Sequence, residues 1–237
     1  MIWTRDLGKS MNNKSQKQIF LEGEGDAWHK RNPEGSFNNN HLYSQILSLP
    51  IKSGKDIKIL DIGCGTGTFL QLLKKEKGWD LYGLDPSSLS IEKTKKMGIN
   101  GFTGTADSLP FDDNSFDILL YSFCLYLCDN NDLFKIASEA HRVTKNKSWI
   151  SIVDFWSGSH KFVPYHHKEG VYTHKFEFFK LFSWHNSYEV FQNEIRDSDK
   201  VSYKVIKDEI KNNLSPNDKK NSNNWINITT LRRNDLN

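Results

Sequence analysis

Short apolar runs alternate with amphipathic stretches through the middle of the chain. The apolar runs lie at 57–61, 79–84, 99–103, 116–121 and 148–155, and each has the length of a β-strand. Between them, stretches at 68–77, 86–97 and 131–143 are predicted helices. Gly78 and Gly98 end the first two, Pro86 begins the second, and the third places apolar residues three and four apart, as one face of a helix does. Strands that alternate with helices in this way predict a mostly parallel sheet covered by helices on both faces.

The two ends of the chain do not show this regular alternation of predicted strands and helices. Residues 1–50 contain two short helical stretches, at 26–31 and 40–49, which predict a helical cover ahead of a main domain at 51–237. An insertion rich in aromatic residues and histidine is expected at about 157–191. Strands at 201–210 and 225–231, joined by the polar segment 212–224, predict an antiparallel hairpin at the edge of the sheet.

Composition narrows the class of protein. The chain has 237 residues, and 32 Lys and Arg against 29 Asp and Glu give a net charge of +3, so a nucleic-acid partner is not expected. The chain lacks both the apolar run of about 18 residues that a membrane span needs and a signal peptide, which predicts a cytoplasmic protein. Cys64, Cys124 and Cys128 are too few for a disulfide framework, and no metal is expected because no histidine lies near them in sequence.

The most informative segment is a glycine loop between the first strand and the following helix, Asp61-Ile-Gly-Cys-Gly-Thr-Gly67. Asp85 ends the next strand, at a spacing that suits a carboxylate bound to ribose hydroxyls. A dinucleotide fingerprint would have glycine at the position of Thr68. Asp61 would repel a pyrophosphate but attract an ammonium group. The pattern therefore favours a nucleoside that carries a cationic amino acid, and S-adenosylmethionine fits that description.

These motifs resemble those of the class I S-adenosylmethionine-dependent methyltransferases. The glycine loop is similar to the first motif of the family, Gly83-Leu-Asp85-Pro-Ser to the second, and the segment from Gly104 to Asp117 to the third and fourth. The resemblance covers about residues 56–155. It implies a Rossmann-like, seven-stranded, mostly parallel sheet with an antiparallel edge hairpin, and S-adenosyl-L-methionine as the cofactor.

The resemblance also implies roles for single residues. Asp61 would lie near the amine of the methionine moiety, Asp85 would hold the ribose, and Asp107 would hold adenine. The alternatives are a turn cap for Asp107 and a favourable helix N-terminal charge for Asp85. The positions in these motifs expected to bind the cofactor are Asp61, Gly63, Cys64, Gly65, Gly67, Asp85, Pro86, Ala106, Asp107, Ser108, Tyr121 and Ser122.

The stretch from Gly25 to Asn32 resembles an N-terminal element of some bacterial methyltransferases of this class, including ones associated with surface-sugar biosynthesis. Such a helix could fold over the cofactor, with Trp28 on its apolar face and Arg31 paired with the methionine carboxylate. The alternative is a helix that only caps the sheet. If the first interpretation holds, Arg31→Ala lowers cofactor affinity.

The acceptor pocket is expected beyond the fourth strand, along the loop 123–129. The expected reaction is O-methylation of a small or sugar-like acceptor, a nucleotide sugar included, by in-line displacement. A hydroxyl acceptor needs a base, for which His166 and His167 are the first candidates and His160 and His174 the next. A non-catalytic module that binds S-adenosylmethionine and a nicotinamide-dependent oxidoreductase are the alternative functions.

Aromatic residues are unevenly distributed along the chain. Of 7 Trp, 8 Tyr and 15 Phe, 12 lie between Phe155 and Phe191, together with five of the 8 histidines. Ring faces suit flat or sugar-like ligands, so this segment is expected to form a lid over the acceptor. The oligomeric state cannot be inferred from the sequence.

Overall fold

The computed structural model describes residues 14–32, 40–51, 56–75, 78–157, 159–197 and 225–235. Nine strands are present among them, and seven of these form one sheet. In chain order the strands are β1 (Lys58–Ile62), β2 (Asp80–Asp85), β3 (Asn100–Thr103), β4 (Phe116–Ser122), β5 (Thr144–Phe155), β6 (Lys161–Pro164), β7 (Tyr172–Lys175), β8 (Tyr188–Asp197) and β9 (Trp225–Arg233).

The strand order in the large sheet is β3-β2-β1-β4-β5-β9-β8. Strands β1 to β5 run parallel, whereas β9 is antiparallel to both β5 and β8. The remaining strands, β6 and β7, pair with each other as an antiparallel hairpin outside the sheet. A mostly parallel, seven-stranded sheet with an antiparallel edge confirms the fold class expected from the sequence.

Seven helices accompany the sheet in the described residues. They are α1 (Gln16–Ile19), α2 (Gly25–Arg31), α3 (Asn40–Ser48), α4 (Thr68–Leu73), α5 (Ser88–Lys96), α6 (Leu133–Val143) and α7 (Lys180–Ser183). A π-helical turn, Phe20–Glu24, joins α1 to α2, and Gly23 within it has φ of 139°, which breaks the helix. Residues 16–32 therefore form a kinked helical segment, called the N-terminal strap below.

The sheet separates two hydrophobic layers because successive side chains of a buried strand point to opposite faces. In β1, Ile59 belongs to the layer packed under α3, α4 and α5, and Leu60 belongs to the layer packed under α6 and α7. Both side chains are fully buried. Burying a side chain of this size contributes about 1.5–3 kcal/mol, so these strands account for much of the stability of the fold.

The edge of the sheet differs in one strand from the sequence-based expectation. The strand expected at 201–210 lies outside the described residues, as does the polar segment 212–224. The strand that pairs with β9 on its other side from β5 is β8, whose first four residues fall in the segment that the sequence analysis assigned to the aromatic insertion. A bulge between Val190 and Gln192 shifts its register and leaves Phe191 57% exposed. The bulge interrupts the two-residue alternation by which a strand is recognised.

The aromatic segment after β5 packs largely into the protein core. Phe178, Phe182 and Tyr188 are buried in the same hydrophobic layer as Tyr121 of β4. The ring centroids of Tyr121 and Phe182 lie 6.4 Å apart. The expected aromatic lid is wrong for these rings, because α7 and the start of β8 carry them beneath the sheet.

Within the described residues, no helix combines the length and the apolar character needed to cross a bilayer. The cytoplasmic location stays a prediction.

Candidate cofactor-binding site

A cavity lies at the carboxyl ends of β1 and β4, where the strand order changes direction. From β1 the chain continues to β2 on one side, and β4 continues to β5 on the other, so the following loops diverge. Open α/β sheets bind ligands at such a point. The side of the cavity nearest the sheet is formed by the glycine loop after β1, and the N-terminal strap covers the opposite side.

The glycine loop is held in place by close contacts. Gly63 has φ of 76°, and a Cβ built there would lie 2.4 Å from the Cβ of Cys124. Gly65 also has a positive φ, of 53°, but nothing lies within 4 Å of its Cβ position. Both glycines and Cys64 line the cavity. Gly67 does not line it; its Cβ position is 2.9 Å from the hydroxyl of Thr94, so this glycine serves the packing of α5.

Asp61 is a buried carboxylate at the end of β1 that lines the cavity. Its Oδ1 is buried and has no hydrogen-bond partner in the part of the chain that the structure describes. Burial, together with the nearby negative charge of Asp85, raises the pKa of Asp61 to about 8. A buried oxygen of this kind is costly unless a donor or a cation meets it, so Asp61 favours a cationic group in the cavity.

Asp85 ends β2 and is fixed by two backbone N–H groups. Its Oδ2 accepts from Gly65 at 2.9 Å, and its Oδ1 accepts from Ser87, the N-cap of α5, at 2.8 Å. Burial outweighs these hydrogen bonds and raises the pKa of Asp85 to about 6. Asp85 and the adjacent Pro86 both line the cavity, so the helix N-terminal role and a ligand-binding role are compatible.

Asp107 lies at the far end of the cavity and is almost fully buried. Its Oδ1 accepts from the Thr105 hydroxyl at 2.8 Å, and its Oδ2 accepts from Lys17 at 2.7 Å and from Lys135 at 3.4 Å. Burial opposes ionisation, but the hydrogen bonds from Lys17 and Thr105 hold the pKa of Asp107 below its ordinary value. Ala106 lines the cavity here, whereas Ser108 closes the turn by donating its N–H to the Thr105 carbonyl.

The inner face of the N-terminal strap lines the cavity through residues at helical spacing. In α2 and its C-cap, the lining residues are Gly25, Trp28, His29 and Asn32, which share one helix face. Asp26 fastens this part of the strap to α5 by accepting from the Ser87 hydroxyl at 2.6 Å. In the first half of the strap, the cavity residues are Lys17 and Phe20.

Arg31 lies on a different side of α2 and does not line the cavity. Its guanidinium donates to Glu24 of the strap and, at 3.3 Å, to the hydroxyl of Tyr165. His29 is one of the strap residues that sequence reasoning missed: it is buried, and burial followed by the charge of Lys93 lowers its pKa. The helical spacing from Trp28 is the signal that could have found it.

The end of β4 contributes Ser122 to the cavity but not Tyr121. Because neighbouring residues of a strand face opposite sides, Tyr121 points into the hydrophobic layer under α6 and α7. Its hydroxyl is buried, and none of the described residues hydrogen-bonds to it. Ser122 is thus the residue of this pair that the structure places in the cavity.

The post-β4 loop, residues 123–132, forms a further wall of the cavity through Phe123, Cys124, Leu127, Cys128, Asp129 and Asp132. Asp154 at the end of β5 holds this loop from behind. Its carboxylate is buried and accepts the backbone N–H of Tyr126 at 3.1 Å and that of Phe155 at 2.8 Å. Burial raises the pKa of Asp154 to about 8 despite these hydrogen bonds.

The four histidines considered as bases do not line this cavity. His166 and His167 are exposed between β6 and β7. His174 of β7 is 2% exposed, and its Nδ1 lies 3.5 Å from Nε2 of His160. Burial, with a smaller contribution from His160, lowers the pKa of His174. Their proposed role as bases stays a prediction.

The described residues hold no group of three or more His, Cys, Asp or Glu side chains placed to bind a metal ion. Cys64, Cys124 and Cys128 are free thiols that line the cavity. Burial raises the pKa of each, which keeps the thiols protonated near neutral pH.

Comparison with known sequences places the cavity in a known domain. Residues 60–152 match the family described as a methyltransferase domain. The chain is 33% identical over 146 residues to a ubiquinone/menaquinone biosynthesis C-methyltransferase of Campylobacter jejuni, a match that covers 58% of this chain and 56% of that protein. It is 34% identical over 133 residues to a malonyl-[acyl-carrier protein] O-methyltransferase of Hamiltonella defensa, covering 51% and 50%. The chain thus spans about half the length of the curated relatives it matches.

Comparison with solved structures agrees on the fold. The 1,6-didemethyltoxoflavin-N1-methyltransferase of Burkholderia thailandensis, solved with 1,6-didemethyltoxoflavin and S-adenosylhomocysteine, superposes with a TM-score of 0.67 and 14% identity. The superposition covers 96% of this chain and 93% of that one. Residues 60–152, which contain the glycine loop, thus match a methyltransferase domain, and the chain as a whole shares the fold of a solved methyltransferase.

Proposed function

We propose that this protein transfers a methyl group from S-adenosylmethionine to a small-molecule acceptor. The observation that carries the proposal is the buried Oδ1 of Asp61, which has no hydrogen-bond partner among the described residues and lies beside a glycine loop with open space above Gly65. An ammonium group in that space would satisfy the carboxylate. The arrangement of Asp61 and the glycine loop therefore fits a nucleoside that carries an amino acid.

The acidic residues of the cavity support a division of roles along the cofactor. Asp61 would hold the amine, and Asp85, fixed by Gly65 and Ser87, would accept the ribose hydroxyls. Asp107 would accept from the adenine amino group through Oδ1, which accepts from Thr105, whereas Oδ2 accepts from Lys17 and Lys135. These roles are the ones that the family resemblance implies for the same positions.

The chemistry requires orientation more than proton transfer on the cofactor side. S-adenosylmethionine supplies a methyl group bound to a positively charged sulfur, whose leaving group needs no proton. The chain's own contribution is to align the methyl group with the acceptor and to exclude water. Trp28 and Phe20 of the strap and Leu127 of the post-β4 loop line the cavity with apolar surface.

For the acceptor, our proposal is an oxygen of a small or sugar-like molecule. The relatives named above are described as C-, O- and N-methyltransferases, so the family alone does not fix the acceptor atom. The bases expected from the sequence, His160, His166, His167 and His174, lie in or next to the β6–β7 hairpin, so their action on a hydroxyl acceptor requires the hairpin to approach the cavity.

Calorimetric titration of the purified protein with S-adenosylhomocysteine and with NADH tests the cofactor. We expect S-adenosylhomocysteine to bind and NADH not to bind. The protein is then added to an extract of its source cells with S-adenosylmethionine labelled in the methyl group, and the labelled product is identified.

The alternative functions predict other results. Binding of NADH alone would support a nicotinamide-dependent oxidoreductase. Binding of S-adenosylhomocysteine with no labelled product would support a module that acts through a partner. A product labelled on carbon or nitrogen would retain methyl transfer and contradict an oxygen acceptor.

A further inference from the structure

Gln16, the first residue of α1, joins three separate parts of the structure. Its backbone N–H donates to Oδ1 of Asp129 at 3.1 Å, and its side-chain Nε2 donates to the carbonyl of Leu127 at 2.8 Å. Its Oε1 accepts from the backbone N–H of Tyr172 in β7. The side chain is buried, with 5% of the residue exposed. A buried amide with partners in two other segments fixes their relative position.

The next residue, Lys17, reaches the nucleobase end of the cavity. Its ammonium lies 2.7 Å from Asp107 and 2.9 Å from Asp132. Its backbone N–H donates to Oδ2 of Asp129 at 3.2 Å, so one carboxylate holds the N–H groups of both Gln16 and Lys17. The two consecutive residues therefore connect Asp107 with the post-β4 loop and with the β6–β7 hairpin.

Apolar packing joins the same three parts. Phe20 of the strap, with Tyr165 and Val171 of the hairpin, forms a small buried cluster against which Leu127 and Trp28 pack. Phe20, Trp28 and Leu127 also line the cavity. Movement of the strap at its kink would therefore move the hairpin and the loop with it.

We infer that Gln16 is a positioning residue that couples occupation of the nucleobase end of the cavity to the order of the β6–β7 hairpin. A ligand held at Asp107 restrains Lys17, Lys17 restrains α1, and Gln16 transmits the restraint to Leu127 and Tyr172. The inference rests on the proposed function, because it takes Asp107 as the nucleobase site. It also explains how the histidines of the hairpin, which lie outside the cavity, could respond to the cofactor.

Hydrogen exchange of the hairpin amides, measured with and without S-adenosylhomocysteine, tests the coupling. In the unaltered protein we expect the ligand to slow exchange of the amides at 161–175, Tyr172 excepted, by about fivefold or more. In Gln16→Leu the slowing should fall below about twofold. Gln18→Leu is the matched control, since Gln18 is exposed in the same helix and bonds to Ser15 alone among the described residues; it should retain the full ligand effect.

The outcomes separate the coupling from the function on which it rests. If S-adenosylhomocysteine does not bind to the unaltered protein, the proposed function fails. If the ligand binds but does not slow the hairpin amides, or slows them equally in Gln16→Leu, the coupling is wrong. A merely structural Gln16 would speed exchange equally with and without ligand and leave the slowing factor unchanged. An equal loss in Gln18→Leu would also contradict the inference.

Discussion

Two groups of residues stand out in the sequence, and they have different places in the structure. The first lies at the ends of β1 and β2 and in the loops that follow them, and the second lies in the segment from Trp156 to Asp197. The first contains glycines and acids, and most of these line one cavity. The second contains many rings and histidines, and none of those residues lines that cavity. Several of its rings are buried beneath the sheet, as Phe178 and Phe182 are.

The difference follows from what each pattern specifies. A glycine such as Gly63 is required by a backbone conformation and by a neighbour at a fixed distance, so its place in the sequence specifies its place in the structure. A ring such as Phe182 contributes area, which any hydrophobic layer can bury. Spacing therefore located the cavity, whereas an abundance of rings did not locate an acceptor site.

Phe182→Ala tests most directly whether the rings after β5 belong to the protein core. Phe182 is 2% exposed beside Tyr121 and Tyr188, so its truncation should cost about 3–5 kcal/mol of the free energy of unfolding. Urea unfolding measures that cost, and affinity for S-adenosylhomocysteine should not change in the variant that remains folded. Trp184→Ala is the control, since Trp184 is 70% exposed and should change stability by less than about 0.5 kcal/mol. Unchanged stability in Phe182→Ala would contradict a core role for this ring and would support the aromatic lid expected from the sequence.

Gly63→Ala tests the glycine loop. A Cβ at this position would overlap Cys124 in a backbone conformation that disfavours alanine, so about 3 kcal/mol of stability should be lost. Gly78→Ala has a similar φ of 60° with nothing within 4 Å, and should cost about 1 kcal/mol in the same urea unfolding experiment. Adding Cys124→Gly to Gly63→Ala should recover part of the loss. Equal costs at the two glycines would mean that the Cys124 contact is absent.

Asp61→Asn tests the buried acid. Because an amide lacks the negative charge that attracts an ammonium group, affinity for S-adenosylhomocysteine should fall by about 100-fold in calorimetry. The pKa of Asp61 is about 8 in the folded protein, above the ordinary value of about 4 for an unfolded carboxyl group. The folded state therefore binds the extra proton between these pH values, and stability falls as pH rises from about 4 to 8. Thermal unfolding should show a weaker decline in Asp61→Asn.

Asp154→Asn is the matched control for Asp61→Asn. Its carboxylate is also buried, with a pKa of about 8, but it holds the back of the post-β4 loop and does not line the cavity. The variant should share the weaker pH dependence and lose less than about tenfold in affinity. Equal losses of affinity in the two variants would remove the special role of Asp61.

His29→Ala and Arg31→Ala give the smallest expected effects. His29 lines the cavity and Arg31 is bonded to Glu24 and Tyr165, so we expect about a fivefold loss of S-adenosylhomocysteine affinity for the first and less than about twofold for the second. The sequence analysis assigned the methionine carboxylate to Arg31. A larger loss in Arg31→Ala would support that assignment and would require the strap to rearrange when the cofactor binds.

Much of the sheet could be predicted because parallel strands buried on both faces appear as unbroken apolar runs. The run at 116–121 lies within β4, and the run at 79–84 matches β2 within one residue. β8 was missed because its bulge at Val190 disturbs the alternation and its rings resemble the segment before it. A strand whose partner lies some 30 residues later has no local signal of that pairing.

The residues of the candidate site likewise divide into those that the sequence predicts and those that it does not. Asp61 and Asp85 follow strands, and the end of a strand can be read from the sequence. Lys17 and His29 could be assigned to the cavity only once the helical phase of the strap was known. One face of a short helix can hold both polar and apolar residues, so the sequence does not indicate which face lines a cavity. The contacts of Gln16 with Leu127 and Tyr172 span more than 100 residues, and no spacing rule reaches that far.

Asp154 gives the post-β4 loop a property that matters for how such a protein changes over time. Because the carboxylate holds the main chain of the loop through N–H groups, part of what fixes the path of the loop is independent of the side chains at Leu127 and Cys128, which line the cavity. Mutations at these two positions can alter the shape and polarity of the cavity wall while the main-chain contacts with Asp154 are kept. A single buried acid on a neighbouring strand thereby allows the wall of the cavity to change by one substitution at a time.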